Sequence, residues 1–102
     1  MVRHIARCVV QFGHYKDWIA AVKAENEAGV RFGMPVYRVY SANVGITNEV
    51  FCEAEYENSA EFERLSKVLD EDPEWSKLIG VELSHLVDGS LHHYLLSEVS
   101  LD

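Results

Sequence analysis

The sequence predicts an α+β fold, in which one antiparallel sheet carries helices on a single face. Three observations carry this reading. Residues 36–57, VYRVYSANVGITNEVFCEAEYE, alternate as two strands about Gly45-Ile46. Apolar residues recur at helical spacing on either side of this hairpin. β-rich runs open and close the chain.

The opening run, residues 4–12, places His4, Ala6, Cys8, Val10 and Phe12 on one face of a strand and Ile5, Arg7, Val9 and Gln11 on the other. After Gly13, Tyr15, Trp18, Ile19 and Val22 form the stripe of an amphipathic helix, with Gly29 at the expected C-cap. In the hairpin, Gly45-Ile46 fits a two-residue type II′ turn, because Gly supplies the positive φ needed at the first central position. That turn sets Val39 against Cys52, Tyr37 against Ala54 and Ser41 against Val50, with Arg38 facing Glu53 and Tyr40 facing Phe51 on the other side. Asn58 followed by Glu61 reads as a capping box, with Phe62, Leu65, Val68 and Leu69 as the buried stripe of a second helix. Asp72-Pro73 restarts the chain as N-cap and first helical residue of a shorter helix, expected to be irregular at Gly80. Asp88-Gly89 is a turn, and residues 91–99, LHHYLLSEV, form the last strand.

The order is strand, helix, strand, strand, helix, strand, with an extra short helix before the last strand. This is the βαββαβ ferredoxin-like pattern. Residues 1–102 read as one domain, too short to close two cores. Helices on one face leave the other sheet face bare, carrying Ile5, Val9, Val36, Tyr40, Phe51, Tyr94 and Leu96 around Arg7, Arg38, Glu53, Glu55 and Glu98. Such a mixture is too apolar for water and marks an interaction site. Arg7 is expected to pair with Glu53 or Glu98, matching charges across an interface.

Composition excludes several function classes. A net charge of −8, from 17 acidic and 9 basic residues, opposes binding to nucleic acid and to anionic membranes. No apolar run approaches the roughly 18 to 20 residues of a membrane span. The apolar start is broken by Arg7 and lacks a small-residue cleavage site, so no secretory signal is read. Two cysteines, Cys8 and Cys52, cannot build a disulfide scaffold and are expected to be reduced. These points indicate a soluble cytoplasmic protein.

The stretch YRVYSANVGITNEVFCEAEYENSAEFERL at residues 37–65, DPEW at 72–75 and LVDGS at 86–90 resembles the dimeric α+β barrel superfamily, and within it NIPSNAP-type proteins. The resemblance implies a homodimer in which two ferredoxin-like subunits press their sheets together. Dimer-interface residues would then be Arg7, Arg38, Tyr40, Phe51, Glu53, Glu55, Tyr94 and Glu98. Relatives in the superfamily include monooxygenases without metal or flavin, haem-degrading enzymes, lactone isomerases, polyketide cyclases and proteins without known activity, and fold alone does not select among them.

The resemblance also implies a pocket between the helices and the covered sheet face. Polar or aromatic groups expected there are His14, Trp18, Tyr37, Asn43 and Trp75, with His4 and Ser41 as further strand candidates. His85 or His93 could act as general base near neutral pH. The competing reading is a hydrogen-bonded histidine at a strand end, and tryptophans that simply fill the core. His92-His93 cannot close on one metal ion, since successive strand residues point to opposite faces. No HExxH, CxxC, calcium loop, GxSxG elbow or phosphate-binding Gly-rich loop occurs, so neither metal nor cofactor is expected. The functional reading is a binder of a small apolar or aromatic organic ligand, enzymatic as a cofactor-independent oxygenase or isomerase. The alternative is a structural module whose pocket is filled by its own side chains.

Overall fold

Along β1 (Val2–Val9), Val2, His4, Ala6 and Cys8 alternate with Arg3, Ile5, Arg7 and Val9, and the pleat sends the two sets to opposite faces. The computed structural model describes residues 1–102. β1 lies inside a four-stranded antiparallel sheet of order β2-β3-β1-β4, with β2 at Arg38–Ser41, β3 at Glu49–Tyr56 and β4 at His92–Ser97. Helices α1 (Tyr15–Gly29), α2 (Ser59–Asp70) and α3 (Pro73–Leu83) complete the expected α+β, ferredoxin-like order, with α3 as the extra helix.

The core forms where the helices meet the His4-bearing face. Trp18 and Val22 of α1 pack on Cys8, Val50 and Cys52, while Leu65 of α2 packs on Val2, Ala54 and Tyr56. Each large apolar side chain buried there contributes roughly 1.5–3 kcal/mol. α3 lies against α1 and α2.

The hairpin register is the expected one, with Arg38 opposite Glu53 and Tyr40 opposite Phe51. Its connection is not a two-residue turn. The Ala42 amide donates to the Glu49 carbonyl, and residues 43–48 form a wider loop that ends at Asn48 with φ 61°. The Val10 amide takes the Asn48 carbonyl at 3.0 Å, drawing the loop onto the end of β1. β1 itself stops short of residue 12. Val10 bridges to Leu86 and the Gln11 amide donates to the His85 carbonyl, so the chain leaves the sheet and Phe12 is exposed.

Gly29 is not the C-cap. The chain continues right-handed into a 3-10 turn, Val30–Phe32, and Gly33, at φ +76°, ends it. Gly29 is needed for space instead, because a Cβ there would press on the Met34 side chain, with its Sδ at 3.0 Å. Asn58 Oδ1 accepts from the Glu61 amide at 2.9 Å, but the Glu61 carboxylate turns to Arg64, so only half of a capping box forms. Val68 is exposed while Leu65 and Leu69 are buried. Asp72 caps α3 through the Trp75 amide, and α3 runs unbroken through Gly80.

Candidate functional site

Between the helix layer and the sheet lies a cavity of about 660 Å³. Its floor includes His4, Tyr37, Cys52 and His93, and its roof includes Glu25, Phe62, Trp75 and Glu82. No Lys or Arg lines it.

Strand pairing assembles the floor. β4 runs beside β1 with Ala6 opposite His93, which puts His93 diagonally next to His4 on the covered face. His4 Nε2 lies 3.0 Å from His93 Nδ1, and His4 Nδ1 lies 2.6 Å from the Tyr37 hydroxyl. That hydroxyl is in turn 2.8 Å from the Tyr56 hydroxyl, giving a four-member chain. Burial, reinforced by His93, pushes the His4 pKa down to about 4, so His4 is neutral at neutral pH. Burial raises both tyrosine pKa values, which keeps them hydroxyls. Tyr37 lies just ahead of β2 and is held by Asn26 of α1, whose amide donates to the Tyr37 carbonyl at 3.0 Å and accepts from its N–H at 2.9 Å. A side chain thus supplies what a strand partner would.

The roof is acidic. Glu25 continues the Trp18, Val22 line of α1 and is buried with it. Its pKa is raised to about 9, first by burial, then by the charge of Glu82 and a hydrogen bond to it. Glu82 Oε2 accepts from Trp18 Nε1 at 2.9 Å. At neutral pH Glu25 therefore keeps its proton. Burial also pushes Cys8 up to about 12 and raises Cys52, so both remain thiols.

The remaining candidates separate. Tyr37, Trp75 and His93 line the cavity; His14, Trp18, Asn43 and His85 do not. Trp18 is fully buried and reaches the roof only through Glu82. His14 and His85 face each other near the end of β1, with their Nδ1 atoms 3.0 Å apart. Asn43 belongs to the β2–β3 loop. Sequence reading did not single out Glu25 or Glu82. Their signal was present as carboxylates at helical spacing on the buried line Trp18, Val22, Glu25 of α1 and on the half-buried line Trp75, Ile79, Glu82 of α3.

On the uncovered sheet face the register sets Arg7 against Phe51 and His92, Ile5 against Glu53 and Tyr94, and Arg3 against Glu55 and Leu96. Tyr40, Tyr94 and Leu96 are about half exposed. Arg7 does not pair with Glu53 or Glu98. Its Nε donates to Glu49 Oε2 at 2.6 Å and its Nη1 to the Ser90 carbonyl; Glu49 and Glu53 both lie diagonal to Arg7 across β1 and β3, and Arg7 takes Glu49 while Glu53 faces Arg3. Arg3 instead takes Glu55 at 2.7 Å and Glu53 at 3.8 Å. Glu98 lies past the end of β4.

Comparison with solved structures follows this geometry over the whole chain. An uncharacterized NIPSNAP domain protein from Burkholderia xenovorans superposes with a TM-score of 0.80 at 14% identity, covering 100% of this chain and 98% of that one. The fold is the one NIPSNAP domains adopt. A NIPSNAP family protein from Agrobacterium tumefaciens gives a TM-score of 0.78 at 14% identity, over 99% of this chain and 88% of that one. An antibiotic biosynthesis monooxygenase gives 0.74 at 11% identity, over 98% of this chain and 100% of that one. No protein-family model matches the sequence, and no curated protein matches it. The NIPSNAP likeness is thus one of fold, and fold hosts many chemistries. No group of three or more His, Cys, Asp or Glu side chains could hold a metal ion, and no helix is long and apolar enough to cross a membrane.

Proposed function

We propose that residues 1–102 act as one domain that binds a small apolar or aromatic organic molecule beneath the helices, where His93 removes a proton from an acidic O–H or C–H. The observation that carries this reading is the His4–His93 pair opening on a cavity of about 660 Å³. With Tyr37 accepting from His4 Nδ1–H, His4 Nε2 accepts from His93 Nδ1–H, which leaves His93 Nε2 as the free base. The imidazolium formed on proton transfer keeps its Nδ1–H bonded to a neutral neighbour. The substrate anion takes the proton back at another atom, which is isomerisation, or adds dioxygen, which is the cofactor-independent oxygenase version. His85 is set aside as the base because it does not line the cavity.

A structural module filled by its own side chains is the rival class, and the size of the cavity weighs against it. Turnover of a hydroquinone under air tests the enzyme reading. Conversion abolished by His93→Ala supports it; equal turnover in wild type and variant removes His93 as the base.

The uncovered sheet face supports a homodimer formed sheet to sheet. Half-exposed Tyr40, Tyr94 and Leu96 among alternating charges suit a self-complementary surface better than open water. The ligand and the second copy would then occupy opposite faces of one sheet.

A further inference from the structure

Tyr56, Tyr37, His4 and His93 form one hydrogen-bonded chain, and all four line the cavity. A neutral imidazole has one donor and one acceptor nitrogen, and a phenol has one hydrogen to give, so the chain holds four hydrogens for three links. One hydrogen is left over, and burial decides where it lies. Tyr56 is 5% exposed and its hydroxyl meets only Tyr37, so its hydrogen goes to Tyr37 rather than unpaired into the core. Tyr37 then donates to His4 Nδ1, and His4 donates its Nε2–H to His93 Nδ1. The hydrogen left over is on His93 Nε2, at the exposed end of the chain. Without a ligand, His93 is therefore a donor.

We propose that a carbonyl group of the ligand reverses this chain and so makes His93 the base: Tyr37 comes to donate to the carbonyl oxygen and to accept from His4 Nδ1–H, which frees His93 Nε2. The proposal rests on the reading above, a ligand in the cavity with His93 as its base, and adds the condition under which His93 becomes one. Tyr56 donates to Tyr37 in both arrangements, so its buried hydrogen is always paired. The hydrogens balance. That of Tyr37 passes to His4 Nδ1, that of His4 Nε2 passes to His93 Nδ1, and that of His93 Nε2 leaves to water. Tyr37 takes one back from water in the cavity, so every residue stays neutral. Tyr37 suits the part because it is only half buried and Asn26 fixes its backbone by two hydrogen bonds. The substrate class follows as a neutral, aromatic or conjugated carbonyl compound with an enolisable C–H. Its carbonyl meets Tyr37 and its C–H meets His93. Removal of that hydrogen builds negative charge on the oxygen that Tyr37 already faces, so the same hydroxyl stabilises the enolate.

Long-range ¹H–¹⁵N NMR reads the imidazole tautomers directly. The probes are 2-acetonaphthone and 2-isopropenylnaphthalene, which has nearly the same shape and no carbonyl, on the wild type and Tyr37→Phe. The unliganded wild type is expected to carry its His93 hydrogen on Nε2. The ketone should shift the His93 ratio about tenfold toward Nδ1–H, the effect of one added hydrogen bond. The hydrocarbon should bind without moving it, and Tyr37→Phe should bind the ketone without the shift. An unliganded His93 already protonated on Nδ1, a bound ketone that leaves the tautomer unchanged, an equal shift with the hydrocarbon, or a shift that persists in Tyr37→Phe would each overturn the switch while leaving the cavity a ligand site. If neither probe binds the wild type, the cavity reading fails and the switch fails with it.

Discussion

His93 Nδ1 sits 3.0 Å from His4 Nε2, with the two rings stacked at an interplanar angle of 8°. Neighbouring strands bring them together, His4 from β1 and His93 from β4. The pair couples a buried imidazole, held neutral, to an exposed one at the edge of the cavity. If this pair moves the substrate proton, substitutions at His93 and His85 should behave differently. His93→Ala is expected to lower the turnover of an active substrate by about 10²- to 10⁴-fold, the usual worth of a positioned general base. His85→Ala should leave it within about twofold, since His85 is outside the cavity. Steady-state kinetics on both variants checks this, and equal losses would contradict it.

The roof and floor impose opposite pH dependences on stability. Glu25 has its folded pKa raised above the ordinary 4.5, so between about pH 4.5 and 9 the folded state binds the extra proton and stability falls as pH rises. His4 has its folded pKa lowered from 6.5 to about 4, so the unfolded state binds the extra proton in that window and stability falls as pH drops. Glu25→Gln is therefore expected to raise the melting temperature at pH 8 by about 5 °C, with little change at pH 4.5. His4→Phe should flatten the loss between pH 6.5 and 4. Thermal unfolding across this range reads both slopes, and a Glu25→Gln gain independent of pH would contradict the assignment.

Asn26 holds Tyr37 by two backbone hydrogen bonds where β2 has not yet begun. Asn26→Ala leaves that N–H and C=O without these partners and loosens the hydroxyl that meets His4. A loss of about 2–3 kcal/mol in urea unfolding is expected. Asn26→Asp should lose less, since it keeps the acceptor for the Tyr37 N–H.

Arg38 faces Glu53 across the hairpin on the uncovered face. Arg38→Glu places three acids, with Glu53 and Glu55, on the proposed dimer surface. Sedimentation velocity should show a dimer for the wild type and a shift toward monomer for the variant. A monomeric wild type would rule out the sheet-to-sheet assembly.

Much of the fold was legible because period-two alternation and helix caps are local signals. The hairpin register was read from a Gly45-Ile46 turn and made coherent by the pairing of Arg38 with Glu53 and Tyr40 with Phe51, and it survived even though the turn did not. The turn was lost to a long-range bond, Val10 N–H to the Asn48 carbonyl, which no local pattern encodes. Phe12 was misplaced for the same reason, since the loop before β4 takes the chain after Val9. At the site, His93 and Tyr37 could be put on the covered face by counting along strands. Glu25 stands at helical spacing from Trp18 and Val22, which marks it as facing the core, but its partner Glu82 comes from a helix 57 residues later in the chain and no local pattern joins the two.

The most direct test of a ligand cavity worked by His93 is imidazole NMR during titration with 2-naphthol. Long-range ¹H–¹⁵N spectra report all five histidines separately. The expected result is saturable shifts at His93 and His4, with His14 and His85 unmoved. Saturable shifts at His14 or His85 alone, or none at His93 up to the solubility limit, would contradict the cavity as the functional site.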